Sequence, residues 1–326
     1  MTNQDMEEQH ESVAGRRRPI LRLTAHPMPA RRYLSAALVF LSTCGAGTAP
    51  VAPLPETPPR GNLLIVGGGA EPPGLMPRFV QLAGGRGRAR IAVLPMASTA
   101  ASDRGSEMAS RLQTLGAQAQ VFDLSRQEAE TETTARQLDD FTGYWFSGGD
   151  QSKLAAVLLA TPSLATIHRR YQEGAVVGGT SAGAAVMSNS MLTGNRQGDG
   201  PPEDDGKFPP IARRSFEVAE GLGFLPGTIV DQHFQRRARQ NRLLSVVLEQ
   251  PELVGVGIDE STAVLVRPDG RWEVLGESSV QVFDARRARI TAPDAPVLGS
   301  TDITMHLLPP RSVYDPLSGQ TTLPAG

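Results

Sequence analysis

Through the middle of the chain, short apolar runs alternate with amphipathic stretches at the spacing of a βαβα fold. Asn62–Val66 and Ala89–Leu94 are nearly all apolar and read as buried strands. Ser106–Leu115 has helical spacing, Ala119–Leu124 reads as a strand, Thr134–Asp140 as a helix and Gly143–Phe146 as a strand. Lys153–Ala160 and Ser163–Glu173 read as helices, Ala175–Val177 as a strand, and Ala182–Met187 as the start of another helix. Continuous apolar strands separated by helices predict a parallel sheet covered on both faces. Ligands of such sheets sit at the carboxyl ends of the strands. The turns at Gly67, Gly148 and Ser181 all follow strands and are expected to meet along one edge.

After Met191 the alternation breaks. Thr193–Pro210 is rich in Gly, Pro and acids and reads as a surface loop. Thr228–Asp231 is a predicted strand and Arg239–Leu248 a helix; Leu253–Ile258, Ala263–Val266, Trp272–Leu275 and Val280–Phe283 are predicted strands. Residues after about 285 carry no motif. The expected architecture is an α/β three-layer sandwich: a mostly parallel central sheet, a β-leaning C-terminal part, and a single domain over residues 62–326.

Composition adds limits. Of 326 residues, 40% are hydrophobic but only 5% aromatic, so the core must be built from Ala, Val, Leu and Ile. A net charge of −2 gives no bulk attraction for nucleic acid. No His, Cys and carboxylate set has metal-ligand spacing, and neither a metal nor another cofactor is expected. The Gly67-Gly68-Gly69 turn does not open a helix as a dinucleotide fingerprint would, because Pro72 and Pro73 intervene; a tight turn lining the site fits better.

Residues 1–49 do not read as part of the fold. Arg31-Arg32, the apolar run Leu34–Leu41 and then Ser42–Ala46 follow the order of a secretory signal. Met28 makes a better start for such a signal than Met1, and Arg31–Leu34 weakly resembles a twin-arginine signal. Leu41–Cys44 resembles a bacterial lipobox, so Cys44 is a candidate lipidation site; ordinary cleavage near Ala46 or Ala49 is the alternative. Residues 50–61 form a Pro-rich linker. The expected location is outside the cytoplasm: secreted, periplasmic, or anchored to the bacterial envelope through Cys44.

The chemistry centres on Gly179-Thr180-Ser181-Ala182-Gly183, a G-x-S-x-G nucleophile elbow between a predicted strand and a predicted helix. A serine nucleophile needs a base. His168 lies in an arginine-rich helix and reads as a solvated surface residue, and His306 lies in an apolar strand and reads as structural. His233 ends a buried strand at the expected active edge and is the best base. The N–H of Ala182, first in the helix after the elbow, is a candidate oxyanion donor, with a second from Gly148 or Gly149. Cys44 is the only cysteine and precedes the fold, which excludes a cysteine nucleophile there.

Four motifs in order carry a family resemblance. Gly148-Gly149-Asp150-Gln151, Gly179–Met187, Asp231-Gln232-His233-Phe234 with Arg237, Arg239 and Arg242, and Gly257-Ile258-Asp259-Glu260 followed by Thr262-Ala263 resemble cyanophycinase. That is a serine peptidase family related to aspartyl dipeptidase (peptidase E), on a fold like class I glutamine amidotransferases. The resemblance runs from about Asn62 to Asp284. It implies an exopeptidase that hydrolyses cyanophycin, a poly-aspartate bearing arginine on each β-carboxyl, to β-Asp-Arg dipeptides. The alternative is a related serine peptidase or dipeptidase acting on other aspartyl or isoaspartyl peptides.

The resemblance also implies roles. Ser181 attacks and His233 is base and then acid. The orienting acid falls in the loop after the nucleophile helix, where Gly198-Asp199-Gly200-Pro201 fits a Gly-acid-x-Pro pattern with Asp in place of the expected Glu. Glu260 is the alternative acid. Arg237, Arg239 and Arg242 would recognise substrate carboxylates. Gln151, Asp231 and Gln232 would supply the polar remainder, Asp231 meeting the substrate guanidinium, while Asp150 has the pattern of a helix N-cap. A homodimer is expected from the same resemblance.

Overall fold

The computed structural model describes residues 58–197, 208–295 and 297–325. The signal and lipobox at 1–49, Cys44 and most of the linker lie outside them, and so do Gly198, Asp199, Gly200 and Pro201.

The chain begins β1 (Leu63–Val66), α1 (Leu75–Leu82), β2 (Arg90–Leu94), α2 (Ala101–Thr114) and β3 (Gln118–Val121). It continues through α3 (Arg126–Ala129), α4 (Glu132–Asp139), β4 (Gly143–Phe146), α5 (Gln151–Leu158) and α6 (Pro162–Glu173) to β5 (Val176–Thr180) and α7 (Ala182–Ala185). Then follow β6 (Ser190–Arg196), β7 (Phe216–Glu220), β8 (Thr228–Asp231), α8 (Gln240–Glu249), β9 (Val254–Ile258), β10 (Thr262–Val266), β11 (Trp272–Gly276) and β12 (Val280–Asp284). Five short strands close the chain: β13 (Arg289–Ile290), β14 (Ser300–Thr301), β15 (Thr304–Leu308), β16 (Val313–Tyr314) and β17 (Thr321–Thr322).

The central sheet has the order β17-β16-β11-β10-β1-β5-β4-β2-β3. Its half from β1 to β3 is parallel, as the alternating pattern predicts, and the β-leaning C-terminal part extends it in antiparallel pairs beyond β1. Helices α1 and α2 cover one face, where Phe79 and Leu112 pack with Trp145. The residues of α4 to α7 cover the other face, around Tyr144 and Phe146. Because β1, β5 and β4 are parallel neighbours, their carboxyl ends lie side by side, and the turns at Gly67, Ser181 and Gly148 meet at one edge. A second sheet, β15-β12-β9-β8, brings the end of β8 to that edge.

Several elements differ from the sequence reading, and α1, α2 and β6 show why. α1 was not expected. Its Leu75, Met76, Phe79 and Val80 are buried, so an apolar stripe makes the helix even though Pro72 and Pro73 precede it. α2 starts at Ala101, earlier than Ser106. Its Gly105 lies where a Cβ would press on Pro95 and Val121, so the glycine that looks like a breaker lets the helix lie close to the sheet. Part of the expected loop at 193–210 is strand, because β6 pairs antiparallel with β7. A register shift between Leu192 and Arg196, beside Gly194 at φ 91°, breaks the alternation that would have revealed it.

Candidate active site

The elbow forms as its spacing requires. Ser181 sits at φ 56° and ψ −113°, between β5 and α7, a conformation L-residues rarely adopt. A Cβ on Gly179 would overlap the carbonyl of Gly183, and one on Gly183 would overlap the carbonyl of Phe146, so this turn closes only with glycine at both positions. The Ser181 N–H donates to the Val66 carbonyl (3.0 Å) and ties the elbow to the end of β1.

Two residues past β8, His233 also has positive φ (48°). Its N–H donates to the Gly67 carbonyl (2.7 Å). The next turn is held from below, where Asp259 Oδ1 accepts from the N–H groups of Gln235 (3.1 Å) and Arg236 (3.0 Å). Glu260 stands in the turn between β9 and β10, and that turn is stitched to the glycine loop by Ser261 N–H to the Gly68 carbonyl (3.0 Å) and Ser261 Oγ to the Ala70 carbonyl (2.8 Å). Three loops from two sheets thus converge on one imidazole.

His233 Nε2 lies 2.9 Å from Ser181 Oγ, and Nδ1 lies 2.6 Å from Glu260 Oε1. An ionised carboxylate only accepts, so Nδ1 carries the proton and Nε2 is left to accept from the serine hydroxyl. Burial is the largest influence on His233 and pushes its pKa below the ordinary value; the Glu260 hydrogen bond works against it, while the charges of Arg237 and Arg239 add to the lowering. The imidazole is therefore kept neutral, as a base must be. Gly68, at φ 102°, lies where a Cβ would overlap the imidazole, so the Gly67-Gly68-Gly69 turn is the floor of the histidine.

The oxyanion candidates separate. Ala182 is the first residue of α7, a position whose N–H has no acceptor within its helix. Gly148 lies against the serine, where a Cβ would be 3.2 Å from Ser181 Cβ, whereas Gly149 lies against the backbone of Ala97.

The polar residues sort by burial. Asp231 and Arg242 are each 1% exposed and face one another: Arg242 Nε donates to Asp231 Oδ2 (2.9 Å) and its terminal nitrogen donates to Oδ1. Where they were expected to meet substrate, the structure encloses each beneath the site with its charge engaged by the other. Arg239, also buried, donates to the Gln232 carbonyl (2.9 Å) and to its Oε1 (2.8 Å). Gln151 is buried and donates from Nε2 to the Leu192 carbonyl of β6 (2.7 Å). Asp150 is an N-cap, accepting from Ser152 N–H (2.9 Å). The arginine spacing reads as an exposed basic helix start or a ligand cluster, and the paired carboxylate on β8 accounts for an Arg242 that lies inside.

His168 departs from its expectation as a solvated residue. It is half-buried, hydrogen-bonded to the Leu222 carbonyl (2.7 Å) and stacked on Phe224. Among the described residues, no group of three His, Cys, Asp or Glu side chains is placed to hold a metal ion.

A strained serine on an α/β elbow, bonded to a histidine that is bonded to a carboxylate, is the constellation of a serine-type peptidase. The comparisons agree with that class. The pattern of peptidase family S51 matches residues 63–273, and the chain belongs to that family. A cyanophycinase from Geminocystis herdmanii is 33% identical over 277 residues, spanning 80% of this chain and 97% of that protein. One from Trichormus variabilis is 34% identical over 228 residues, spanning 69% of this chain and 72% of that one. The fold is similar to that of a solved peptidase from an acI-B1 Actinobacterium, with a TM-score of 0.55 at 22% identity, covering 76% of this chain and 97% of that one.

Proposed function

We propose that this peptidase hydrolyses cyanophycin-type peptides, aspartate chains with arginine on the side-chain carboxyls, by a Ser181-His233-Glu260 mechanism. The hydrogen-bonded line from Ser181 Oγ through the imidazole to Glu260 is the observation that carries the mechanism. The substrate class rests on the cyanophycinases from Geminocystis herdmanii and Trichormus variabilis, to which the chain is 33% and 34% identical over the aligned residues.

His233 Nε2 takes the hydroxyl proton as Ser181 Oγ attacks the scissile carbonyl. The oxyanion forms beside the N–H groups of Ala182 and Gly148. One such donor is typically worth about 10²–10³ in rate. The imidazolium, steadied by Glu260, returns the proton to the leaving amine. Water then repeats the sequence on the acyl-enzyme. Both ring nitrogens are engaged, Nε2 with the serine and Nδ1 with Glu260, so we assign the orienting acid to Glu260 rather than Asp199.

The purified protein is expected to release β-Asp-Arg dipeptides from cyanophycin, and Ser181→Ala to lose that release. Folded wild-type protein that frees no dipeptide would refute the substrate assignment. Turnover of isoaspartyl dipeptides without polymer cleavage would favour the dipeptidase reading. We further propose that the protein is exported and acts as a homodimer, to be checked by cell fractionation and light scattering.

A further inference from the structure

Beside the serine lies a pocket of about 520 Å³ whose lining holds only Gly148 and Thr180 of the four motifs. Its walls include Glu71, Arg104, Glu107, Met108, Arg111 and Trp145. Gly148 and Thr180 also line it, so it opens directly onto the elbow. Four of the six wall residues come from α2 at positions i, i+3, i+4 and i+7, a single stripe of that helix. Trp145 and Met108 belong to the core beneath α1 and α2. The pocket is therefore on the face of the sheet opposite Gln151, whose helix α5 packs in the other core cluster.

The lining carries both signs in equal number. Arg111 pairs with Glu71, whose side chain is 9% exposed, and Arg104 pairs with Glu107 at the open rim (3.1 Å). Burial pushes the Glu71 carboxyl up and Arg111, itself half exposed, pulls it back. The indole N–H of Trp145, fully buried in the wall, has no hydrogen-bond partner among the described residues. A lining that offers both signs is complementary to a group that carries a carboxylate and a guanidinium together.

We infer that this pocket is a substrate subsite beside the nucleophile, which binds one charged Asp-Arg unit next to the scissile bond. The inference rests on the proposed aspartate–arginine substrate and adds to it where one unit is held. Arg104 and Arg111 face the unit's carboxylate and Glu107 its guanidinium. Occupation of the pocket holds the scissile carbonyl in register over Ser181 Oγ.

The test uses the full chain carrying Ser181→Ala, with two probes: one β-Asp-Arg unit, and two such units joined through the aspartate backbone. Calorimetry should show the two-unit probe binding about tenfold tighter than the one-unit probe, the worth of a charge-assisted pair. Adding Arg104→Gln and Glu107→Gln should abolish that advantage and leave one-unit binding unchanged. Both positions are exposed, and an unchanged melting temperature verifies the fold. A two-unit advantage that survives both substitutions overturns the subsite, as does its absence before them. If the wild-type enzyme leaves the two-unit probe uncut while the Ser181→Ala advantage still depends on Arg104 and Glu107, the hydrolytic reading fails and the subsite stands.

Discussion

A single imidazole holds most of the chemistry, and its two nitrogens are committed to different partners. Burial lowers the His233 pKa, so the group titrates below the ordinary 6.5. Between 6.5 and that lowered value an unfolded chain takes up a proton that the folded one resists. Stability from this group is therefore full above 6.5 and is lost as pH falls through the window. Activity follows the neutral form, and the acid limb of kcat/KM should have its midpoint below 6.5. Glu260→Gln removes the two influences that raise the pKa, so the limb should move further toward acid. The rate should fall about 10³–10⁴-fold, the scale seen when a triad acid is neutralised. Asp199→Asn should keep near wild-type kcat; the reverse pattern would return the acid to Asp199. Gly68 offers a separate check on the same ring. Gly68→Ala forces a Cβ into the imidazole and should cost about 10²-fold in kcat through misplacement. The protein should stay folded by circular dichroism.

Among the elements, those that the sequence displays openly are the ones whose side chains face one environment. Apart from Arg90 at the start of β2 and Thr180 at the end of β5, the residues of β1, β2, β4 and β5 are buried, so each shows as an apolar run, and the elbow shows because its glycines are forced by contact with backbone. Elements whose pattern serves two purposes were read only in part or missed. β6 carries a register shift, and α2 carries a glycine for close packing. Ser181 and His233 were legible because a nucleophile needs a turn and a base needs a strand end. The choice between Asp199 and Glu260 was not, since spacing along the chain says nothing about which loop crosses from one sheet to the other. Asp231 and Arg242 were legible as a pair of motifs but not as partners of each other. Their enclosure makes a prediction about the β8–α8 unit. Arg242→Met leaves the Asp231 carboxylate buried without its main counter-charge and should lower stability by about 3 kcal/mol in urea unfolding. Asp231→Leu with Arg242→Met should recover most of that loss, because apolar groups of similar volume replace a buried pair at little cost.

At the scale of the molecule, the site depends on two sheets staying in register. Ser181 stands on the central sheet, His233 follows a strand of the second, and Glu260 lies in the turn that passes from β9 in one to β10 in the other. The chain beyond residue 285, which carries no motif, makes that passage again. β15 pairs with β12 of the second sheet, and β16 then pairs with β11 of the central one. Tyr314 anchors the return, fully buried and 5.3 Å between ring centres from Trp272. Its hydroxyl has no hydrogen-bond partner among the described residues, and burial pushes its pKa up to about 12, so the ring rather than the hydroxyl holds the clasp. Tyr314→Phe should therefore leave the melting temperature nearly unchanged. Tyr314→Ala opens a cavity between the return strand and β11 and should cost about 3–5 kcal/mol. Because the clasp sets how the sheets lie against each other, kcat of the alanine variant should fall at temperatures where calorimetry still finds it folded. Full kcat up to the melting transition would show instead that the β9–β10 turn alone keeps His233 and Glu260 over the serine.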